Sequence, residues 1–368
     1  MLHTRVLRRG EHAVCGLPDG TMPMDLWSLY ALMKRSRLFE EAVTRLWQDG
    51  LISGEMHLGT GEEAIIAGVV PQLRPGDAMA VDHRGTAAFL MRGVDPVGLL
   101  REMLGRPDGL CGGRGGHMHL FSRDHLAASS GIVGAEGPAA AGFALAARHL
   151  HPGAIAVAFF GDGALNQGML MESLNLAAVW ELPVLFVCKD DGWAITTTPD
   201  ASTGGTVGER VRGLGVRYIE ADGLDVERVW QAAQEAIERA RAGEGPTLLH
   251  ARCVHLEGDF LGLLLLRTTR DPWRELPGIA GPLARSFLRS GGGSLRDRLA
   301  GVGSVIAALR ATLRDPRRRP ANDPLERARS ALTVTAGASD LKRLKELEDR
   351  VQAEVAAIVA AALQEPAA

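Results

Sequence analysis

Short apolar runs alternate with longer stretches of helical hydrophobic spacing along the middle of this chain. The pattern is clearest between residues 154 and 198, where an apolar run (154–160) precedes a stretch with apolar residues at helical spacing (165–180). A second apolar run, residues 184–188, follows it. Apolar runs of this length are typical of buried strands, so the order predicts two parallel strands joined by a right-handed helical crossover.

Each of the two apolar runs ends in an acidic turn that contains glycine. Asp162 stands between two glycines after the first run, and the pair Asp190-Asp191 follows the second run. The carboxyl ends of parallel strands meet at one edge of a sheet, and open α/β sheets bind their ligands at that edge. We therefore expect both acidic turns to lie together at a ligand-binding edge.

Asp162 and Asp191 could both reach one hard cation at this edge. Their carboxylate oxygens, with a backbone carbonyl near Trp193, suit Mg²⁺, which commonly shares its sites with phosphate oxygens. A helix that starts after Gly163 would offer free N–H groups and the positive end of its dipole to a phosphate. The residues predict a Mg²⁺–diphosphate site, and a pair of solvated acidic turns is the alternative.

Strand and helix patterns alternate through most of the chain. This alternation predicts an α/β fold, a doubly wound and mainly parallel sheet with helices on both faces. We expect an N-terminal arm (1–24), an α/β domain (25–265) and a helical C-terminal region (266–368). Two glycine-rich loops, residues 50–61 and 111–120, carry histidines. Such loops indicate close approach to a ligand or to another backbone, and a plain linker is the alternative for the second one.

Composition narrows the choice of partners. The 368 residues carry a formal net charge of −3, which gives no reason to expect nucleic acid or an anionic membrane. The sequence has no apolar stretch near the roughly 20 residues needed to span a bilayer. Its basic start also lacks the apolar segment of a secretory signal. The four cysteines are scattered without Cys-x-x-Cys spacing, so we expect free thiols and a cytoplasmic protein.

Several motifs resemble one enzyme family in the same order. The segment from GDGALNQG to DDGWAITT (161–197) is similar to the thiamine diphosphate motif of the alpha subunit of 2-oxo acid dehydrogenases. These proteins form the decarboxylating component of the pyruvate, branched-chain 2-oxo acid and acetoin dehydrogenase complexes. Further similar segments are HLGTGEEAI (57–65), DHRG (82–85), GGRGGHMH (112–119), GIVGAEGPAAAG (131–142) and HARCVHLEGDFLG (250–262), the last in the place of the active-site loop.

The resemblance implies a thiamine diphosphate-binding fold and a site that holds thiamine diphosphate with Mg²⁺. The implied cofactor-binding residues are Arg84, Gly131, Val133, Gly161, Asp162, Gly163, Ala164 and Asp191. The implied metal ligands are the side chains of Asp162 and Asp191 and the backbone carbonyl of Trp193. By the same resemblance, His57 would lie near the thiazolium, where the substrate enters.

Some positions depart from the family pattern. Asp190-Asp191 stands where relatives carry Asn-Asn, and Thr86 stands where a second histidine is common. In the active-site loop, Asp259 stands where relatives carry a histidine. We therefore expect His57 and Asp259 as the catalytic side chains, with a carboxylate in the place of an imidazole.

The resemblance implies an oxidoreductase that decarboxylates a small 2-oxo acid, or cleaves acetoin, and transfers the acyl unit to a lipoyl group. It also implies an alpha subunit that is active only with a beta subunit, in an α2β2 assembly serving a lipoyl-bearing acyltransferase. The departures leave an alternative, a catalytically altered or inactive alpha-like subunit that binds cofactor or scaffolds a beta partner. A Rossmann-type nucleotide-binding protein and a phosphotransfer enzyme are disfavoured, because neither an early Gly-x-Gly-x-x-Gly nor a Walker sequence is present. The substrate stays open.

Overall fold

A sheet of seven strands forms the centre of the molecule. The computed structural model describes residues 24–194, 197, 199–256, 319–334 and 336–364. The strands are β1 (Ala78–Val81), β2 (Phe121–Ser122), β3 (Ala127–Ser129), β4 (Ala156–Gly161), β5 (Val184–Asp190), β6 (Arg217–Asp222) and β7 (Thr247–Arg252). Their order across the sheet is β2-β3-β1-β4-β5-β7-β6. All neighbours are parallel except β2 and β3, which form an antiparallel pair at one edge.

The helices of the described residues cover both faces of this sheet and its flank. They are α1 (Leu26–Gln48), α2 (Glu63–Val69), α3 (Thr86–Met91), α4 (Pro96–Met103), α5 (Glu136–Leu150), α6 (Gly168–Val179), α7 (Pro199–Ser202), α8 (Val207–Gly213), α9 (Val226–Arg241), α10 (Pro324–Thr333) and α11 (Ala338–Leu363). In several of them an aspartate accepts hydrogen bonds from the first free N–H groups, as Asp25 does for α1 and Asp225 for α9.

The residues of β4 alternate between the two faces of the sheet. Val157 and Phe159 belong to the core shared with α2 and α9, whereas Ala158 and Phe160 belong to the core shared with α5 and α6. All four side chains are fully buried, and full burial of a valine or phenylalanine side chain contributes roughly 1.5–3 kcal/mol. The mainly parallel sheet with helices on both faces confirms the predicted fold class.

The connection between β4 and α6 differs from the predicted helix over residues 165–180. Asp162–Asn166 forms a 3₁₀-helix, and α6 begins only at Gly168 after a break at Gln167, whose backbone is extended. The α-helix that was predicted after Gly163 therefore begins later than expected, and a 3₁₀-helix takes its place at the sheet edge. The short 3₁₀-helix still leaves free N–H groups at the sheet edge, because the first N–H groups of any helix have no partner within it.

The C-terminal helices pack against α1. Leu29 of α1 and Leu347 of α11 share one apolar core, and the Tyr30 hydroxyl donates a hydrogen bond of 2.6 Å to Glu348. The predicted domain boundary at residue 265 lies outside the described residues. No helix in the described part of the chain combines the length and the hydrophobicity needed to cross a membrane.

Candidate functional site

The two acidic turns meet at the carboxyl edge of the sheet. β4 and β5 are parallel neighbours over their full length, so Asp162 and Asp191 follow adjacent strands, as the sequence predicted. The turns also touch, because a Cβ atom at Gly163 would lie only 3.0 Å from the Cβ of Ala194. A side chain at residue 163 would therefore push the two turns apart.

Asp162 carries an unsatisfied buried oxygen. Its side chain is largely buried, and its Oδ1 atom has no hydrogen-bond partner among the described residues. Burial, together with the negative charges of Asp190 and Asp191, raises the pKa of Asp162 to about 7. A bound cation would satisfy this oxygen and offset the charge repulsion, so the residue fits the role of a metal ligand.

The two aspartates of the second turn have different surroundings. Asp190 accepts hydrogen bonds from the backbone N–H of Gly192 (2.9 Å) and from His250 Nε2 (2.6 Å). These bonds fold the turn and tie it to β7. Asp191 instead lies with its Oδ2 atom 2.9 Å from His255 Nδ1. Burial acts to raise the pKa of Asp191, but the positive charge of His255 outweighs it and lowers that pKa.

A row of buried charged side chains extends away from Asp191. His255 Nε2 lies 2.7 Å from Glu62 Oε1, and the other oxygen of Glu62 lies 2.6 Å from Lys189 Nζ. Lys189 Nζ also lies 3.0 Å from Asp82 Oδ1. The exposed fraction of these five side chains does not exceed 9%. We name Asp191, His255, Glu62, Lys189 and Asp82 the buried charge chain.

Acids and bases alternate along the buried charge chain, and this order keeps Glu62, His255 and Lys189 ionised. Burial acts to raise the pKa of Glu62, but Lys189 and His255 lower it to about 2. Burial and the nearby Arg84 act against protonation of His255, but Asp191 and Glu62 raise its pKa to about 9. The two carboxylates beside Lys189 likewise outweigh burial and raise its pKa. At neutral pH these three groups are therefore ionised, with each charge facing its opposite.

Three imidazoles lie together beside the same edge. The ring of His57 is 4.6 Å from the ring of His83 and 5.8 Å from that of His117, centroid to centroid. The His57 backbone N–H also donates to His117 Nε2 at 3.2 Å. Burial lowers the pKa of His83 to about 3 and that of His117 to about 4. Arg84 is buried next to them and donates a 2.7 Å hydrogen bond to the Leu58 carbonyl.

One carboxylate holds the glycine-rich loop that carries His117. Glu102, near the end of α4, accepts hydrogen bonds from the backbone N–H groups of Cys111 (2.6 Å), Gly113 (2.8 Å) and Gly115 (2.6 Å). Burial acts to raise the pKa of Glu102, but these N–H groups lower it. The loop is thus fixed by charge-assisted hydrogen bonds, which are stronger than neutral ones.

The other predicted cofactor residues lie around the same edge. Gly161 is the last residue of β4, and Ala164 is buried in the following 3₁₀-helix. Trp193 lies in the second turn with its side chain 38% exposed. Gly131 and Val133 lie in the turn between β3 and α5, and the residue before this turn donates its N–H to the last residue of β1 at 3.0 Å. The strand order therefore places all five at the carboxyl edge of the sheet, where the acidic turns lie.

Three residues at the site, His255, Glu62 and Lys189, were not predicted from the sequence. Asp259 lies outside the described residues. His255 precedes it in the segment compared with the family's active-site loop, so this segment carries an imidazole in addition to the predicted carboxylate. One sequence signal could have revealed this group, since Lys189 lies at the end of an apolar strand. Lysine is almost never fully buried unless it is paired, so a buried ion pair could be expected there.

The mainly parallel sheet and the unsatisfied carboxylate oxygen at its carboxyl edge fit an α/β protein of the thiamine diphosphate-binding class. The family model of the dehydrogenase E1 component matches residues 31–260. The chain belongs to this family, which confirms the resemblance stated from the motifs.

Curated relatives carry the names of alpha subunits. The alpha subunit of acetoin:2,6-dichlorophenolindophenol oxidoreductase from Cupriavidus necator is 41% identical over 249 residues, which cover 66% of this chain and 75% of the relative. The protein of the same name from Bacillus subtilis is 40% identical over 248 residues, 67% of this chain and 74% of the relative. The mitochondrial pyruvate dehydrogenase E1 component subunit alpha from Dictyostelium discoideum is 32% identical over 328 residues, 84% of this chain and 81% of the relative.

Proposed function

We propose that this chain is the alpha subunit of a thiamine diphosphate-dependent E1 component. In this role it takes part in oxidative decarboxylation of a small 2-oxo acid, or in cleavage of acetoin, with transfer of the acyl unit to a lipoyl group. The observation that carries the proposal is the pair of acidic turns, in which Asp162 presents an unsatisfied buried oxygen beside Asp191. The family match agrees with this assignment.

The donor set suits Mg²⁺ bound together with a diphosphate. Within the described ranges, no group of three or more His, Cys, Asp or Glu side chains is arranged to hold a metal ion. Asp162, Asp191 and the backbone carbonyl of Trp193 would therefore supply part of the coordination, and diphosphate oxygens the rest. This incomplete protein set is what Mg²⁺ uses at phosphate sites, where it rarely has a cage made only of protein ligands.

Thiamine diphosphate, when bound, supplies the electron sink that decarboxylation requires. The chain's own part is to bind and to orient. The N–H groups of Gly163 and Ala164 and the guanidinium of Arg84 would face the diphosphate, with Gly161 giving the backbone room. Gly131 and Val133 would contact the pyrimidine through their backbone.

The histidines divide into two functional groups. His57, beside the buried rings of His83 and His117, would line the side from which substrate arrives. His83 and His117 are neutral near pH 7, because burial lowers their pKa values, so they can accept or donate hydrogen bonds without adding charge. His255 is held as a cation between two carboxylates and would offset the negative charge that Asp191 adds beside a diphosphate. Asp259 stays a predicted catalytic residue.

A beta subunit and a lipoyl-bearing acyltransferase complete the proposed function. The alpha chain would provide the diphosphate half of the site in an α2β2 assembly. We also propose a reducing, cytoplasmic location, because Cys188 and Cys253 are buried and Cys111 is partly exposed, all three as free thiols.

Isothermal titration calorimetry of the copurified alpha–beta complex tests the proposal. We expect saturable binding of thiamine diphosphate that requires Mg²⁺ and is lost in Asp162→Asn. Asp124→Asn, an exposed aspartate in a turn away from the site, is the matched control and should bind like the wild type. Failure of the wild-type complex to bind would refute the proposal.

A second assay separates the working enzyme from the altered subunit. Reduction of dichlorophenolindophenol is measured with pyruvate, branched-chain 2-oxo acids and acetoin as substrates. Turnover of one of them assigns the substrate, whereas cofactor binding without turnover of any would favour the catalytically altered alpha-like subunit.

A further inference from the structure

Lys189 is the centre of the buried charge chain. It is the penultimate residue of β5, its side chain is fully buried, and its ammonium group lies between two carboxylates from other elements. Glu62 immediately precedes α2, and Asp82 immediately follows β1. One ammonium group therefore fastens three separate segments of the site to one another.

Each of the two carboxylates also contacts a second residue, and these contacts lead to the side chains expected to face the proposed cofactor. Through Glu62, Lys189 is linked to His255 and from there to Asp191, over distances of 2.6, 2.7 and 2.9 Å. Through Asp82, it is linked to the turn of Arg84, because the Arg84 backbone N–H donates to Asp82 Oδ1 at 3.1 Å. The same lysine thus supports both the metal side and the diphosphate side of the site.

From this geometry we infer that Lys189 is a positioning residue for cofactor binding. The inference rests on the proposed function and goes beyond it, since Lys189 is not one of the residues expected to contact cofactor. Without the ammonium group, Glu62 and Asp82 would be two buried carboxylates without a cation between them. Removal of one partner from a buried ion pair is strongly destabilising. Both carboxylates would move or take up protons, and both links would lose their geometry.

Lys189→Met keeps the length and the apolar stem of the side chain and removes its charge. We expect the dissociation constant for thiamine diphosphate, measured by calorimetry on the alpha–beta complex at saturating Mg²⁺, to rise at least about tenfold. Lys189→Arg keeps the charge and should recover most of this loss. Glu62→Gln removes the charge that faces both His255 and Lys189, while Asp82 still pairs with Lys189, and it should raise the dissociation constant about fivefold.

Arg241→Met is the matched control. Arg241 forms a buried ion pair with Asp77, at 2.6 Å and 3.0 Å, and Asp77 precedes β1 at the opposite edge of the sheet. Loss of this pair should lower the thermal unfolding temperature by an amount similar to Lys189→Met, but leave the dissociation constant within about twofold of wild type. If Lys189 served only in folding, Lys189→Met and Arg241→Met would lose cofactor affinity to the same extent for the same loss of thermal stability.

The outcomes separate the inference from the proposed function. If the wild-type complex does not bind thiamine diphosphate, the proposed function fails and this inference with it. If the wild type binds and Lys189→Met binds equally well, only the inference is overturned. If Lys189→Met does not fold, Glu62→Gln decides: a dissociation constant equal to that of the wild type overturns the inference, and a fivefold increase supports it.

Discussion

Glu40 gives the fold a dependence on pH that one substitution should remove. This glutamate of α1 is completely buried, and its Oε1 atom accepts the backbone N–H of Gly59 at 3.0 Å. That bond holds the loop that carries His57. Burial first, and then the negative charges of Glu63 and Glu62, raise the pKa of Glu40 from 4.5 to about 8, although the Gly59 hydrogen bond and Arg37 oppose them.

The sign of the effect follows from proton counts. Between pH 4.5 and about pH 8 the folded chain keeps the Glu40 proton, whereas the unfolded chain has lost it. Folding therefore binds a proton in this range, and stability falls as the pH rises. From about pH 6 to about pH 9 this one group should lower the free energy of unfolding by about 2–3 kcal/mol, since each pKa unit corresponds to about 1.4 kcal/mol.

Glu40→Gln keeps a carbonyl oxygen for Gly59 and removes the titration. Urea unfolding of the full chain, followed by tryptophan fluorescence, would be measured at about pH 6 and about pH 9. Over this pH range, the free energy of unfolding of the variant should fall by about 2–3 kcal/mol less than that of the wild type. Glu41→Gln, the exposed neighbour on α1, is the control and should follow the wild type. Equal losses in Glu40→Gln and wild type would refute the reasoning.

Three further substitutions, with Gly54→Ala as the control for the first, test other parts of the site. Gly61→Ala would place a Cβ 1.7 Å from the carbonyl oxygen of Val254, so urea unfolding should register a loss of at least about 3 kcal/mol. Gly54→Ala, at a similar positive φ in open space, should cost only about 1–2 kcal/mol. Glu102→Ala leaves three N–H groups without their carboxylate, and we expect a loss of about 2–4 kcal/mol with faster hydrogen exchange in the glycine-rich loop. Asp191→Asn removes a negative charge but keeps an oxygen ligand, so calorimetry should give a thiamine diphosphate affinity within about threefold of wild type or tighter. A large loss would mean that the ion pair of Asp191 with the imidazole is required.

Local sequence signals were sufficient to predict the ligand-binding edge of the sheet and the two acidic turns that lie there. The apolar runs that became β4 and β5 are long, and a glycine-flanked Asp162 and the pair Asp190-Asp191 mark where they stop. Two parallel strands joined by a right-handed crossover then place both turns at the same edge of the sheet. The antiparallel pair β2 and β3 escaped prediction because strands of two and three residues have too little periodicity to detect.

The buried charge chain could not be predicted in the same way. Glu62, Asp82, Lys189 and His255 come from four segments far apart along the chain, and they meet only because the sheet order places β1, β4, β5 and β7 side by side. Considered alone in the sequence, Glu62, Asp82 and His255 would each be interpreted as an ordinary solvent-exposed side chain. The place of Lys189 at the end of an apolar strand signals a buried lysine, but only the three-dimensional structure shows which carboxylates pair with it.

The hydrogen bonds between Glu102 and the backbone of the glycine-rich loop affect how easily a protease can cleave this loop. A loop with this many glycines would usually be an easy target, because a protease must draw the backbone into an extended conformation within its own cleft. Arg114 is exposed and offers trypsin a cleavage point, but the N–H of the next residue, Gly115, is bound to Glu102 at 2.6 Å. Cleavage there requires that the carboxylate first release the backbone. The loop should therefore resist trypsin as the folded core does.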